Sequence, residues 1–114
     1  MNDCLFCKII SGDIDSDKVY EDQYVYAFND INPQAPVHIL IIPKKHIESI
    51  HDVSGSDKPY IDAVISAIQK IASDNGLDRD GYRIVTNHGK RAGQSVFHLH
   101  FHLLGGRDLQ WPPG

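Results

Sequence analysis

Apolar residues recur with two different periods along this chain, and the change of period marks its elements. Between Lys58 and Asn75, residues Ile61, Val64, Ile65, Ile68, Ile71 and Ala72 recur at three- and four-residue spacing, which places them on one helix face. Asp57 suits the cap of that helix, Pro59 its first turn and Asn75-Gly76 its end. Elsewhere the pattern has period two or consists of short apolar runs. Lys18 to Asp22 and Tyr24 to Asn29 read as two strands around a turn, and Arg83 to Asn87 as a further strand. Val37 to Ile42 is apolar on both faces and reads as a buried central strand that Pro43 ends. Asn32-Pro33 and Ala35-Pro36 mark a rigid loop before it. A short helix, capped by Asp3 and ended by Gly12, opens the chain. Short connections favour antiparallel pairing, and one amphipathic helix covers a face. The expected fold is therefore an α+β sandwich, a single domain spanning residues 1–114.

The last strand, Ser95 to Leu104, carries the chemistry. Its alternation puts His98, His100 and His102 on one face and Leu99, Phe101 and Leu103 on the other. The second face can be buried. The first carries three copies of a side chain that titrates near neutral pH and can transfer protons, attack phosphorus or bind metal. By spacing alone, such a face is also compatible with a pH-sensitive surface or an adventitious metal site.

Composition narrows the field. A chain of 114 residues buries roughly 65% of the surface its unfolded form exposes, enough for one core without staples. The formal net charge is −4 and no long basic run occurs, so a small nucleotide is a better candidate ligand than a nucleic-acid polymer. No apolar stretch approaches the ~20 residues of a membrane span, and the N-terminus lacks the pattern of a secretory signal. Two cysteines make a disulfide framework improbable and suggest a reduced, cytoplasmic setting, with cytosol and nucleus not distinguished. Ser95 lies in no Gly-x-Ser-x-Gly elbow, the glycines form neither a Walker loop nor a dinucleotide fingerprint, and no carboxylate cluster suits a two-metal phosphatase. Cys4-Leu-Phe-Cys7 alone is ambiguous between a zinc half-site, a redox pair and an inert pair.

The run His98-Leu-His-Phe-His-Leu-Leu104 resembles the His-φ-His-φ-His-φ-φ pattern (φ apolar) of the histidine triad superfamily of nucleotide hydrolases and transferases. Further segments resemble its Hint branch. They are Phe28-Asn-Asp-Ile-Asn-Pro-Gln-Ala-Pro36 with His38, Ile42-Pro-Lys-Lys-His46, Gly93-Gln-Ser95, Leu104-Gly-Gly-Arg107 and Trp111-Pro-Pro-Gly114. The likeness runs in colinear order from about Cys4 to the last residue.

The resemblance implies a five-stranded antiparallel sheet with one long and one short helix, extended across a homodimer. It implies hydrolysis of the P–N bond of adenosine or guanosine 5′-phosphoramidates, and of aminoacyl or lysyl adenylates, to a nucleoside monophosphate. His100 would be the nucleophile, His102 would contact the phosphate, His38 would orient His100, and Ser95 would hydrogen-bond the leaving group. Asn87, Gly93, Gln94, Ser95 and Val96 would cradle the phosphate. Asp30, by itself a turn residue, would clamp the ribose, with Ile14, Phe28, Asn29 and Ile31 around the nucleoside. No cofactor would be needed for catalysis. Relatives with the N-terminal cysteine pair hold a structural zinc, for which Cys4, Cys7, His46 and His98 are the candidate ligands and His51 the substitute. The transferase branch carries Gln at the third catalytic position, and His102 speaks against it. A dinucleoside polyphosphate hydrolase and a non-catalytic nucleotide-binding adaptor are the alternatives. The C-terminal tail with Trp111 would lie near the partner subunit's pocket and influence substrate choice.

Overall fold

A computed structural model describes residues 3–114. Five strands form one antiparallel sheet in the order β1-β2-β3-β5-β4, where β1 is Lys18–Glu21, β2 Val25–Asn29, β3 Val37–Pro43, β4 Tyr82–Val85 and β5 Phe101–Gly105. Helix α1 (Leu5–Ser11) covers one face, α2 (Lys58–Asp74) the other, and a single turn, α3 (Leu77–Asp80), leads from α2 into β4. The turn α3 has no counterpart in the periodicity, because four residues are too few to show one.

Strand alternation sorts the central strands into two cores. Val25 and Ala27 of β2, Ile39 and Ile41 of β3, and Phe101 and Leu103 of β5 pack under Val64, Ala67, Ile68, Ile71 and Ala72 of α2. On the opposite face Tyr26, Phe28, Leu40 and Ile42 pack against Phe6 and Ile9 of α1. Both faces of β3 are thus buried, as its doubly apolar sequence requires. Two expectations for α2 change. Ile65 points to solvent rather than to the sheet, and Ala67 takes the buried place beside Val64 and Ile68. Asp57 precedes α2 but makes no side-chain cap. Its carboxylate instead accepts from the Ser54 amide at 3.0 Å and from Lys45.

Two departures bear on the site. The N-cap of α1 is Cys4, not Asp3, and its Sγ accepts from the Cys7 amide at 3.4 Å. Gly12 ends α1 at φ +87°, in the left-handed region where glycine costs least. The strand expected from Ser95 begins only at Phe101. Before it, tertiary bonds replace the ladder: the Leu99 amide donates to the Ile47 carbonyl at 2.6 Å, and the Thr86 hydroxyl to the His100 carbonyl at 2.7 Å. The His98 and His100 rings nevertheless stay on the α1 side, both edge-on to Phe6. No helix among the described residues is long and apolar enough to cross a membrane.

Candidate functional site

The α1 side of the sheet opens into a cleft of about 880 Å³. Its walls carry nine of the residues singled out in the sequence: Ile14, Phe28, Asn29, Asp30, Ile31, Ser95, Val96, His100 and His102. Phe28 is buried at the base, whereas Ile31 stands fully exposed at the rim. Sequence reasoning missed Leu5, Phe6 and Ile9 of α1, Leu40 of β3, and Asp15, Ser16 and Asp17. The three- and four-residue spacing of Phe6, Ile9 and Ile10 was the available signal for α1.

Hydrogen-bond partners assign each imidazole proton, because backbone carbonyls only accept and backbone amides only donate. His100 Nδ1 lies 2.7 Å from the His98 carbonyl, so Nδ1 carries the proton and Nε2 keeps a lone pair. His38 Nδ1 accepts from the Gln34 amide at 3.0 Å, so its proton is on Nε2. That Nε2–H donates to His102 Nδ1 at 2.9 Å, which leaves His102 with a proton on Nε2. Asp30 Oδ2 lies 3.3 Å from the same His38 nitrogen, while its Oδ1 accepts from the Asn32 amide at 2.8 Å. One imidazole thus offers a nucleophilic lone pair and its neighbour, with ring centroids 5.2 Å apart, offers a donor.

This geometry corrects one expected role. His38 orients His102, not His100, because β3 and β5 pair Leu40 with His102 and set His38 diagonally beside it. The carbonyl of His98 orients His100.

Burial keeps the three rings neutral. It lowers the pKa of His100, opposed by the bond to His98 and by Asp30. It lowers His38 likewise, with Asp30 pulling back. His102 is pushed down to about 4, by burial first and then by the proximity of His100 and His38. At neutral pH the lone pair and donor assigned above are therefore the prevailing forms.

The loop before Ser95 differs from expectation. Asn87, Gly93 and Gln94 do not line the cleft. The Gly93 and Gln94 amides close a turn on the carbonyls of Lys90 and Gly89, at 3.0 and 3.1 Å. The Gln94 side chain is buried, accepting from the Gly89 amide at 2.8 Å and donating to the Glu48 and Val96 carbonyls at 2.7 and 3.2 Å. Gln94 therefore shapes the loop, and the segment that faces the cleft narrows to Ser95 and Val96.

Behind the triad, Cys4, Cys7, His46 and His98 bring four donor atoms within 4.8 Å of one another. His98 Nε2 donates to the Pro43 carbonyl at 2.8 Å, so its Nδ1 lone pair faces Cys4 Sγ at 3.3 Å and Cys7 Sγ at 3.5 Å. Cys7 Sγ lies 3.4 Å from His46 Nδ1. Zn–S near 2.3 Å and Zn–N near 2.0–2.1 Å at a tetrahedral angle separate S from N by about 3.6 Å, so the donor set fits such an ion with little movement. Burial raises the Cys4 thiol pKa and lowers that of His98 to about 4, and a cation would offset the first effect by favouring thiolate. His51 is not part of this group. It stacks on His88 with ring centroids 4.9 Å apart. In a second grouping, Asp30, His38 and His102, His38 Nε2 and His102 Nδ1 are already joined to each other by a hydrogen bond.

A HIT domain model matches residues 11–109. The chain is 47% identical over 112 residues to an uncharacterised HIT-like protein of Synechococcus elongatus, covering 98% of this chain and 97% of that protein. A HIT family hydrolase from Legionella pneumophila superposes with a TM-score of 0.95 at 50% identity, covering 98% of this chain and all of that one. A histidine triad nucleotide-binding protein from Candida albicans superposes with a TM-score of 0.83 at 36% identity, covering 96% and 82% of the two chains. Likeness this extensive, over the strands and loops that bear the imidazoles, shows that the chain belongs to the HIT family.

Proposed function

We propose that this protein is a Hint-type purine nucleoside phosphoramidase. The observation that carries the reading is the opposite protonation of two adjacent imidazoles at the cleft, His100 bare at Nε2 and His102 protonated there. His100 Nε2 attacks phosphorus as the P–N bond breaks, and the amine departs with a proton relayed from water through the Ser95 hydroxyl. The hydroxide left by that proton transfer balances the second step, in which water attacks the nucleotidyl-histidine, gives up a proton to that hydroxide, restores the imidazole and releases the nucleoside monophosphate. The His102 Nε2–H stabilises the charge that builds on a phosphoryl oxygen, and the His38 bond holds it in that tautomer. Asp30 takes the ribose hydroxyls with its remaining lone pairs, and Ile14, Phe28 and Ile31 enclose the base. In this reading catalysis uses no cofactor. Cys4, Cys7, His46 and His98 hold a zinc ion whose four protein ligands leave no open position, so it serves the structure.

The same reading makes the protein a cytoplasmic or nuclear homodimer that pairs through β4. That edge strand exposes Tyr82 and Ile84. The other edge, β1, is interrupted by a register shift between Lys18 and Tyr20 and carries the Lys18–Glu21 ion pair, features that discourage pairing.

The test is steady-state hydrolysis of adenosine 5′-phosphoramidate beside diadenosine triphosphate, for wild type and His100→Ala. The expected result is preferred P–N cleavage, lost by 10³-fold or more, as an order of magnitude, in the variant. Near-normal turnover in the variant sinks the covalent route. Preference for the polyphosphate moves the protein to a neighbouring activity, and AMP binding without turnover of either makes the adaptor reading the better one.

A further inference from the structure

We infer that an ion held by Cys4, Cys7, His46 and His98 acts as a positioning element for the nucleophile, so that its occupancy sets the orientation of His100. The inference rests on the reading of His100 as nucleophile and deepens it. Two connections carry it. The first is His98 itself. Its Nδ1 faces the thiols, its Nε2–H is anchored on the Pro43 carbonyl, and its backbone carbonyl accepts from His100 Nδ1 at 2.7 Å. One buried residue therefore supplies both a metal donor and the acceptor that leaves the His100 lone pair at Nε2. The second connection is Phe6, which lies between the two cysteines in the first turn of α1. Its ring meets His98 edge-on at 5.9 Å and His100 at 5.0 Å, and it lines the cleft.

The chemistry of the donor set gives these connections a direction. Without a cation, the His98 Nδ1 lone pair faces two sulfurs whose S–H groups are weak donors. A tetracoordinate ion replaces those contacts with four directed bonds. It ties α1, the segment after β3 and residue 98 to one point. The His98 carbonyl and the Phe6 ring then have a single arrangement against His100. Without the ion, α1 is a seven-residue helix held to the sheet mainly by Phe6 and Ile9, and both contacts to His100 loosen.

The experiment compares full-length protein stripped of metal with the same protein given one equivalent of zinc chloride, at one fixed neutral pH. Three readouts are taken: the side-chain ¹⁵N signals of His100, the Kd for AMP by calorimetry, and phosphoramidate turnover. Zinc is expected to convert averaged His100 signals into those of a single Nδ1–H tautomer. It should also tighten AMP binding at least fivefold and raise kcat/KM at least tenfold, mostly in kcat. His46→Gln removes an exposed ligand that does not line the cleft, and should reproduce the stripped state with zinc present. Failure to bind one equivalent overturns the inference. So does a zinc-induced rise in Tm with unchanged His100 signals and AMP affinity, which would make the ion a structural staple alone. A zinc-dependent change in His100 with no phosphoramidate turnover supports the coupling while refuting the proposed reaction. Equal turnover and equal signals in both states do the reverse.

Discussion

His102 allows the cost of burying an imidazole of the triad to be measured. Its pKa falls from 6.5 to about 4 on folding, chiefly through burial, with His38 and His100 adding to the effect and Asp30 opposing it. A depressed pKa means that the unfolded chain takes up the proton first as pH falls. The group therefore costs nothing above about pH 6.5 and progressively more between there and about pH 4. At pH 5 the unfolded imidazole is about 32:1 protonated and the folded one about 1:10, which corresponds to about 2 kcal/mol of lost stability. The ring is only part-buried, and solvent screening reduces this to about 1 kcal/mol. His102→Gln keeps an acceptor for the His38 Nε2–H and removes the titration. Urea unfolding of both proteins at pH 7.5 and pH 5.0 gives a double difference in which the titrations of His38, His98, His100 and the carboxylates largely cancel. Wild type should lose about 1 kcal/mol more than the variant over this interval. Equal losses would refute the idea that this ring is held neutral against its solution preference.

Three further outcomes are expected. Gln94→Ala strands the Gly89 amide and the Glu48 and Val96 carbonyls, and should cost about 2 kcal/mol in chemical denaturation; a neutral result would show that water replaces all three bonds. Gly106→Ala adds a Cβ 2.9 Å from Pro36 at φ +90°, whereas Gly12→Ala at φ +87° meets open space. The first should lower stability by about 2 kcal/mol or more and the second by about 1, and equal Tm shifts would deny any role to the Pro36 contact. Truncation after Arg107 removes Trp111, which is 80% exposed, but keeps the Arg107 bonds to the Gln34 carbonyl. It should leave Tm nearly unchanged and alter the ratio of kcat/KM values among phosphoramidates with different amines; an unchanged ratio would make the tail a bystander.

What could be read from the sequence, and what could not, separates along physical lines. Periodicity reports which side of an element a residue occupies. It correctly put Leu99, Phe101 and Leu103 on one side and the three imidazoles on the other, and it located α2 to within one residue at its end. It failed at Ile65, which lies on the boundary of the apolar stripe, where only the contour of the sheet decides between core and water. Register is a different quantity. The resemblance set His38 against His100, whereas the pairing of Leu40 with His102 joined it to His102. The role of His100 was similarly beyond any local pattern. Its proton is set by a carbonyl two residues earlier, and that carbonyl is held in place because Leu99 bonds to Ile47 and Thr86 bonds to His100 instead of continuing the ladder. Gln94 shows the same limit in reverse: a polar residue beside Ser95 looks like a ligand contact until its amide is found closing three backbone gaps. Residue types and alternation sufficed to place three imidazoles on one face, and the colinear motifs around them pointed to the family. The division of labour among its histidines depends on tautomers, and tautomers are settled by hydrogen bonds that form only once distant segments are in register.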